Sequence, residues 1–487
     1  MAVGAIARAI DALKTCALGC EGVTHAVVTV SATYPRPQLL CQLTAECSDS
    51  QSSGIDPWGK RHIDSWTSAF DEMYQGRGDL TGQDEFVAWI SSYTGRALPL
   101  ADMSEWLVTT LDRIRRLGGR RILEIGCGNG LLARRLVQWC DRYVGTDVSD
   151  AALGRARRLL AGGRHDSYQL IHQAAGNWEG LNEEFDVIIL NSVVQYFPDL
   201  RYLDAVLRRC FEHLAPGGHV FVGDVRSLPL FEAFLTSLAL LNVSRDSPCQ
   251  ALLQWVNGRR AGLSELLLHP SYFVNLSHRD AGPSWVQVMP RRGSRLNEMT
   301  VFRYDVVLGA GHPTAEQAIN WQEWPTQRVA ATSARERLGS GGGRVGFLHV
   351  PNVRVLGFAE VWRLASNNAV DTVDEACVVA NRTARSIGVD PESLWTQYPG
   401  VSLRWDTGEV DGSFTAVAHA ETGPGAWFAI PSSGDPNLRL ANNPARERCI
   451  RQLISAVQVE FKNVMRALGL EDLPVEVVAA PSSEGIR

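Results

Sequence analysis

Apolar positions near the start of the chain recur with helical spacing: Ile6, Ile10 and Leu13 share one face. Two short apolar runs follow, 25–30 and 38–43, and predict strands. The polar stretch 48–54 predicts a linker. Strand and helix signals then alternate. Residues 121–125, 143–146, 168–172, 185–190 and 219–224 predict strands. After the first, Leu131, Leu132, Leu136 and Val137 fall on one side of a helix. Ser149 or Asp150 is placed to cap a helix continuing through 151–160, and Leu203, Val206, Leu207 and Leu214 form the inner face of another. Such alternation predicts an α/β fold, a Rossmann-like parallel sheet with helices on both faces. Its ligand should sit outside the strand C-termini, where the strand order reverses. The run 333–343 contains three consecutive glycines and predicts a flexible junction. Beyond it, 345–350 predicts a strand, and Ile450, Leu453, Ile454, Val457 and Phe461 share one helical face. The expected organisation is a small α+β part over 1–55, an α/β domain over 56–310, a linker over 311–343 and a C-terminal α+β region over 344–487 that packs with 1–55.

Composition narrows the function. Of 487 residues, 45% are apolar and 21% charged, enough apolar surface for a true core. A net charge of −6 provides no basic field for nucleic acid. No apolar run approaches a membrane span, and the N-terminus lacks the basic-then-apolar pattern of a secretion signal. Ten cysteines occur without a C-x-x-C pair. Cys16 and Cys20 find no partners that would complete a zinc pattern, so no metal is expected, and reduced thiols in a cytoplasmic setting are.

The sharpest motif follows the first central strand: Glu124-Ile-Gly126-Cys127-Gly128-Asn-Gly130. Glycines there let backbone pass close beneath a ligand. Asp147 ends the next strand, where a carboxylate can accept both hydroxyls of a ribose, with Val148 beside it. A dinucleotide fingerprint would need glycine at 131, and the chain has Leu131. G-x-G-x-G followed by an acidic residue fits S-adenosylmethionine (SAM), which has no pyrophosphate to cradle.

Further segments resemble the methyltransferase domains embedded in nonribosomal peptide synthetases. They are 66–74 (Trp66 to Tyr74), 86–95 (with Tyr93), 185–198 (with Asn191, Ser192, Gln195 and Tyr196), 214–226 (with Asp224 and Arg226) and 295–307 (with Asn297 and Glu298). The flanks, 1–45 and segments at 350–354, 388–395 and 441–444, resemble the small adenylation subdomain into which such domains are inserted. That family usually has asparagine where this chain has Ile90, and aspartate where it has Asn177, before Trp178. Asn177 can still accept from an adenine amino group, and Trp178 offers the base a flat face.

The resemblance implies methyl transfer from SAM to an amino-acid-like acceptor, free or tethered to a carrier protein, with nitrogen ahead of oxygen or carbon. It implies Glu298 as the carboxylate nearest the reacting amine, beside Asn297, with Tyr196 orienting the acceptor. Asp224 and Arg226 would hold its amine and carboxylate. Tyr74, Trp66 or Tyr93 would face the sulfonium. His172, His219 and His269 are further candidate bases, although a lone histidine more often has a structural role. Two other readings keep the cofactor: a cyclase that releases methylthioadenosine, and a SAM-binding scaffold for a synthetase.

Overall fold

A computed structural model of the chain describes residues 3–20, 23–31, 38–45, 57–75, 85–86, 89–161, 167–260, 262–279, 282–311, 319–325, 327–339, 344–418, 430, 438–468, 470–471 and 475–479. The expected linker at 48–54 lies outside them. The chain divides into two compact units: Met1–Ile63, Asp435–Arg439 and Asn443–Arg487 form one, and Asp64–Gly434 and Leu440–Asn442 the other.

In the first unit, strands Val23–Ser31 and Gln38–Ala45 pair antiparallel, and Val475–Ala479 adds in parallel. Alternate residues Ala26, Val28, Leu39, Cys41 and Leu43 are buried. Leu13 of helix Val3–Leu18, and Val457 and Phe461 of helix Pro444–Ala467, join the same core. The two predicted helical faces thus meet one sheet face.

The second unit holds a seven-stranded sheet, numbered here β1 (Arg121–Ile125), β2 (Arg142–Asp147), β3 (Tyr168–His172), β4 (Phe185–Asn191), β5 (Leu214–Arg226), β6 (Trp285–Pro290) and β7 (Arg303–Gly309). Its order is β3-β2-β1-β4-β5-β7-β6. The first five strands are parallel, and β7 runs against both β5 and β6. Strand order reverses between β1 and β4, so a ligand crevice belongs at their C-terminal ends. Apolar runs in β1 and β4 are buried on both faces, as a covered parallel sheet requires. Ser149, and not Asp150, caps helix Asp150–Leu160, its side chain accepting from Ala152 N at 3.0 Å. The helix after the glycine loop is only Ala133–Leu136, and Leu214 opens β5 instead of ending helix Leu200–Glu212.

The compact units differ from the expected division. Residues 344–434 cluster with the sheet unit, and the anticipated linker contains strand Asn320–Glu323 and helix Arg328–Gly339. The physical reason is edge covering. Trp405 N donates to Val288 O at 2.9 Å, Val288 N donates to Asp406 Oδ1 at 3.0 Å, and Arg404 Nη2 donates to Val286 O at 2.6 Å, so residues 404–406 dress the free edge of β6. Buried Arg354 of helix Val353–Ser366 donates to Gly293 O at 2.7 Å.

Candidate active site

The loop after β1 is held open from below. Gly126 N and Cys127 N both donate to Thr146 O, at 2.7 and 2.9 Å. Gly126, Gly128 and Gly130 all have positive φ (75°, 54° and 84°). A Cβ on Gly126 would come within 2.6 Å of Val193, whereas one on Gly128 would meet, among the described residues, only the Tyr74 hydroxyl at 3.6 Å. Gly128 therefore leaves a backbone floor open to a ligand. Asp147 braces it: Oδ2 accepts from Gly128 N at 2.8 Å and Oδ1 from Ser149 N at 2.9 Å. Each oxygen keeps a lone pair for a further donor. Burial raises the Asp147 pKa, against the two backbone donors that lower it.

Behind the loop, Glu124 is 3% exposed and accepts from the Tyr143 hydroxyl at 2.5 Å. Burial is the largest cause that pushes its carboxyl up to about 8; Tyr143 opposes the shift and Asp147 adds to it. Cys127 is buried in the same place, and burial carries its thiol well above the ordinary value. Val148 O accepts from His172 Nε2 at 2.8 Å. Across the crevice, Asn191 is buried, and its Oδ1 has no hydrogen-bond partner among the described residues. Gly223 makes room for it, since a Cβ there would lie 2.2 Å from that oxygen. Ser192 takes φ 57° and donates from Oγ to Asp224 Oδ2 at 2.7 Å.

The helix Pro57–Tyr74 lays an aromatic row over this end of the sheet. Trp66 and Phe70 are 6.0 Å apart, Phe70 and Tyr74 6.4 Å, and Tyr196 meets Trp66 at 4.6 Å and Phe70 at 5.0 Å. Asp71 pins the helix by accepting from Ser149 Oγ at 2.6 Å. The row runs from the glycine loop, where the Tyr74 hydroxyl sits, to Tyr196. The i, i+4, i+8 spacing of Trp66, Phe70 and Tyr74 signals it in the sequence, although Phe70 is absent from the expected site.

Beyond Tyr196 lies a cleft of about 270 Å³, open to solvent, lined by Arg226, Glu298 and Arg303 with apolar residues such as Phe234 and Leu267. Glu298 is 5% exposed and accepts from Ser92 N at 2.8 Å and Ser92 Oγ at 3.1 Å. Arg226 pairs with Glu265, and burial pulls its pKa down to about 10, with Arg303 adding to the effect. Arg303 Nη1 donates to Asp224 Oδ2 at 2.6 Å. Burial lowers the Arg303 pKa, but Asp224, Glu298 and Tyr196 outweigh it, and the net shift is upward. Burial raises the Tyr196 phenol, with Arg303 opposing. Gln195 Nε2 donates to Ser192 O at 3.0 Å and braces the turn that leads to Tyr196.

Several expected roles change. Asn297 is the N-cap of helix Glu298–Phe302: its Oδ1 accepts from Met299 N and Thr300 N, and its Nδ2 donates to Asp102 Oδ2 at 3.2 Å. Its amide is spent on holding Glu298, not on chemistry. Asp224 has no exposed surface, takes φ 59°, and braces Ser192 and Arg303 while its own N–H donates to Asp305 Oδ1 at 2.7 Å. It organises the wall through Oδ2, while its Oδ1 has no hydrogen-bond partner among the described residues. Trp178 packs under helix Leu200–Glu212, 4.8 Å from His213, so its face is turned to protein. Asn177 is exposed, and its Oδ1 accepts from Glu179 N at 3.0 Å. Tyr93 bonds Ser237 Oγ at 3.0 Å and lies 6.5 Å from Phe234, on the cleft side and away from the glycine loop; burial raises its phenol to about 12. Of the histidines, His269 caps helix Pro270–Leu276 by accepting from Ser271 N, and burial lowers it to about 4. His219 packs on Trp285, and burial lowers it too. Arg303, Glu265 and Ser92, like Phe70, are site residues that sequence reasoning did not assign. The partners of the first three lie far along the chain, and no local pattern marks them. Among the described residues no cluster of His, Cys, Asp or Glu could hold a metal, and no helix is long and apolar enough to cross a membrane.

The crevice at the ends of β1, β2 and β4 carries groups that suit a sulfonium nucleoside. It offers an uncovered glycine backbone at 128, a carboxylate with spare acceptor capacity at 147 and an unpartnered amide oxygen at 191. Residues 123–220 match the family described as "Methyltransferase domain", a family that uses SAM. The more particular kinship is with nonribosomal peptide synthetases that carry such domains. The chain is 32% identical over 422 residues to chondramide synthase of Chondromyces crocatus, covering 82% of this chain and 11% of that protein. It is 31% identical over 429 residues to the probable nonribosomal peptide synthetase CymA of Salinispora arenicola, covering 86% of this chain and 5% of that one. The chain thus spans a small fraction of either relative. Among solved structures, the N-methyltransferase NodS from Bradyrhizobium japonicum aligns over 50% of this chain and 97% of its own at 15% identity, with a TM-score of only 0.29.

Proposed function

We propose that the protein methylates the amino nitrogen of an amino acid or aminoacyl group in nonribosomal-peptide-type biosynthesis. The carrying observation is Glu298, a buried carboxylate fixed by two bonds from Ser92 in the cleft next to Tyr196. The cleft is also lined by Leu230, Phe231, Phe234, Leu267 and Phe302. Its apolar lining favours an apolar side chain.

Charge supports nitrogen. The guanidiniums of Arg226 and Arg303 face the carboxylates of Glu265, Asp224 and Glu298, and Glu265 and Asp224 already match one arginine each. Glu298 is left to attract an ammonium, while each arginine already faces a carboxylate of its own. That balance favours an acceptor whose carboxyl is esterified or tethered. Bound SAM supplies an electrophilic methyl on a sulfonium whose thioether departs readily. Glu298 Oε1 or Oε2 takes the ammonium proton, so that the nitrogen presents a lone pair. Tyr196, held by Trp66 and Phe70, orients the amine, and the aromatic row excludes water from the line between the two pockets. Gly126, Cys127, Gly128, Asp147, Asn191 and Tyr74 hold the cofactor.

The test is to incubate the full chain with SAM and amino acids, both free and as N-acetylcysteamine thioesters, and to read product masses. An N-methylated thioester with S-adenosylhomocysteine is expected. Methylthioadenosine without a methylated product would replace this reading with the cyclase; methylation at oxygen or carbon alone would end the nitrogen assignment.

A further inference from the structure

We propose that Asn442 is a positioning residue for the acceptor cleft, so that a segment far downstream of the methyltransferase sheet sets acceptor recognition. The inference rests on reading that cleft as the acceptor site. Leu267, which lines the cleft, sits in the stretch 265–269, and that stretch is gripped from two sides. On the sheet side, Leu268 N donates to Arg226 O at 3.0 Å, and Leu266 N donates to Gln195 O at 2.7 Å. On the other side, His269 N donates to Leu440 O at 2.8 Å, and Leu268 pairs antiparallel with Ala441.

The Asn442 side chain completes that second edge. Its Oδ1 accepts from Leu267 N at 2.7 Å, and its Nδ2 donates to Glu265 O at 2.9 Å. It is 6% exposed. These bonds fix the two residues that act on the cleft: Glu265, whose carboxylate neutralises Arg226, and Leu267, which lines the cavity. One planar amide meets a donor and an acceptor two residues apart, which neither aspartate nor a hydroxyl can do in the same way. Removing it strands a buried N–H and a carbonyl. The next residue, Asn443, caps helix Pro444–Ala467 by accepting from Arg446 N at 2.9 Å. Adjacent asparagines therefore anchor the cleft wall and start a helix.

The experiment compares Asn442→Ala and Asn442→Asp with the unaltered full chain. The readouts are initial rates with phenylalanyl N-acetylcysteamine thioester, S-adenosylhomocysteine calorimetry and amide hydrogen exchange. For Asn442→Ala the thioester KM should rise about tenfold, while the KM for SAM and the affinity for S-adenosylhomocysteine stay unchanged. Leu267 N–H should lose protection in Asn442→Ala and keep it in Asn442→Asp, whose carboxylate still accepts that bond. An unchanged thioester KM, or equal changes in both KM values, would overturn the proposal. If the unaltered chain turns over no thioester, the methyltransferase assignment to this cleft fails. Exchange then decides the positioning role alone: equal Leu267 protection in Asn442→Ala and the unaltered chain would refute it, and lost protection would support it.

Discussion

Three carboxylates near the crevice do three different jobs because their surroundings differ. Asp147 accepts two backbone N–H groups and keeps spare lone pairs, so Asp147→Ala should weaken S-adenosylhomocysteine binding by roughly ten- to a hundredfold in calorimetry. Glu298 is held by Ser92 as a candidate proton acceptor. Glu298→Gln should cut kcat by about a hundredfold or more while leaving that affinity intact. Glu124 is sealed under Tyr143. Its carboxyl is raised from 4.5 to about 8 in the fold, so the folded state holds a proton that the unfolded chain releases. Its stabilising contribution is complete below pH 4.5 and is lost as pH rises towards about 8. Melting temperature should fall across that window, and Glu124→Gln should flatten the fall. His269 has the opposite sign. Its value drops from 6.5 to about 4 on folding, so stability present above pH 6.5 disappears as pH falls through 4. The glycine loop and Asp147 were legible in the sequence, because backbone constraint and a strand-end acid are local. The Asp224–Ser192–Arg303 bracing was not, because its members come from three strands and meet only in the folded sheet.

Whole elements were legible where periodicity was strong. Strands β1, β3 and β4 and the buried faces of helices Val3–Leu18 and Pro444–Ala467 follow from apolar spacing alone. The helix after the glycine loop shrank to four residues even though its apolar positions are buried, so burial there is achieved without a long helix. Helix Glu298–Phe302 is the opposite case. Too short to announce itself by period, it is made by its cap: Asn297 accepts from N2 and N3, and Thr300 Oγ1 returns the favour by accepting from Asn297 N at 3.0 Å. Asn297→Ala should therefore cost about 1 kcal/mol in denaturant melts and lower kcat through a displaced Glu298, and Asn297→Asp, which keeps the cap but sets a second carboxylate against Asp102, should recover only part of either.

The whole second unit depends on its late segments. Ending the chain after Gly309 would uncover the β6 edge that residues 404–406 dress and the buried face of helix Phe231–Asn242 that helix Val353–Ser366 covers. Such a truncation should aggregate on size-exclusion chromatography, although it contains every strand of the methyltransferase sheet. The sequence by itself determined the five parallel strands, the glycine loop and the strand-end acid, because each is written in consecutive residues whose spacing dictates one conformation. Only the tertiary structure decided which carboxylate is free, which amide is a cap, and that 344–434 belongs with the sheet. Those outcomes turn on which groups lose water together, and that pairing joins residues dozens to hundreds of positions apart.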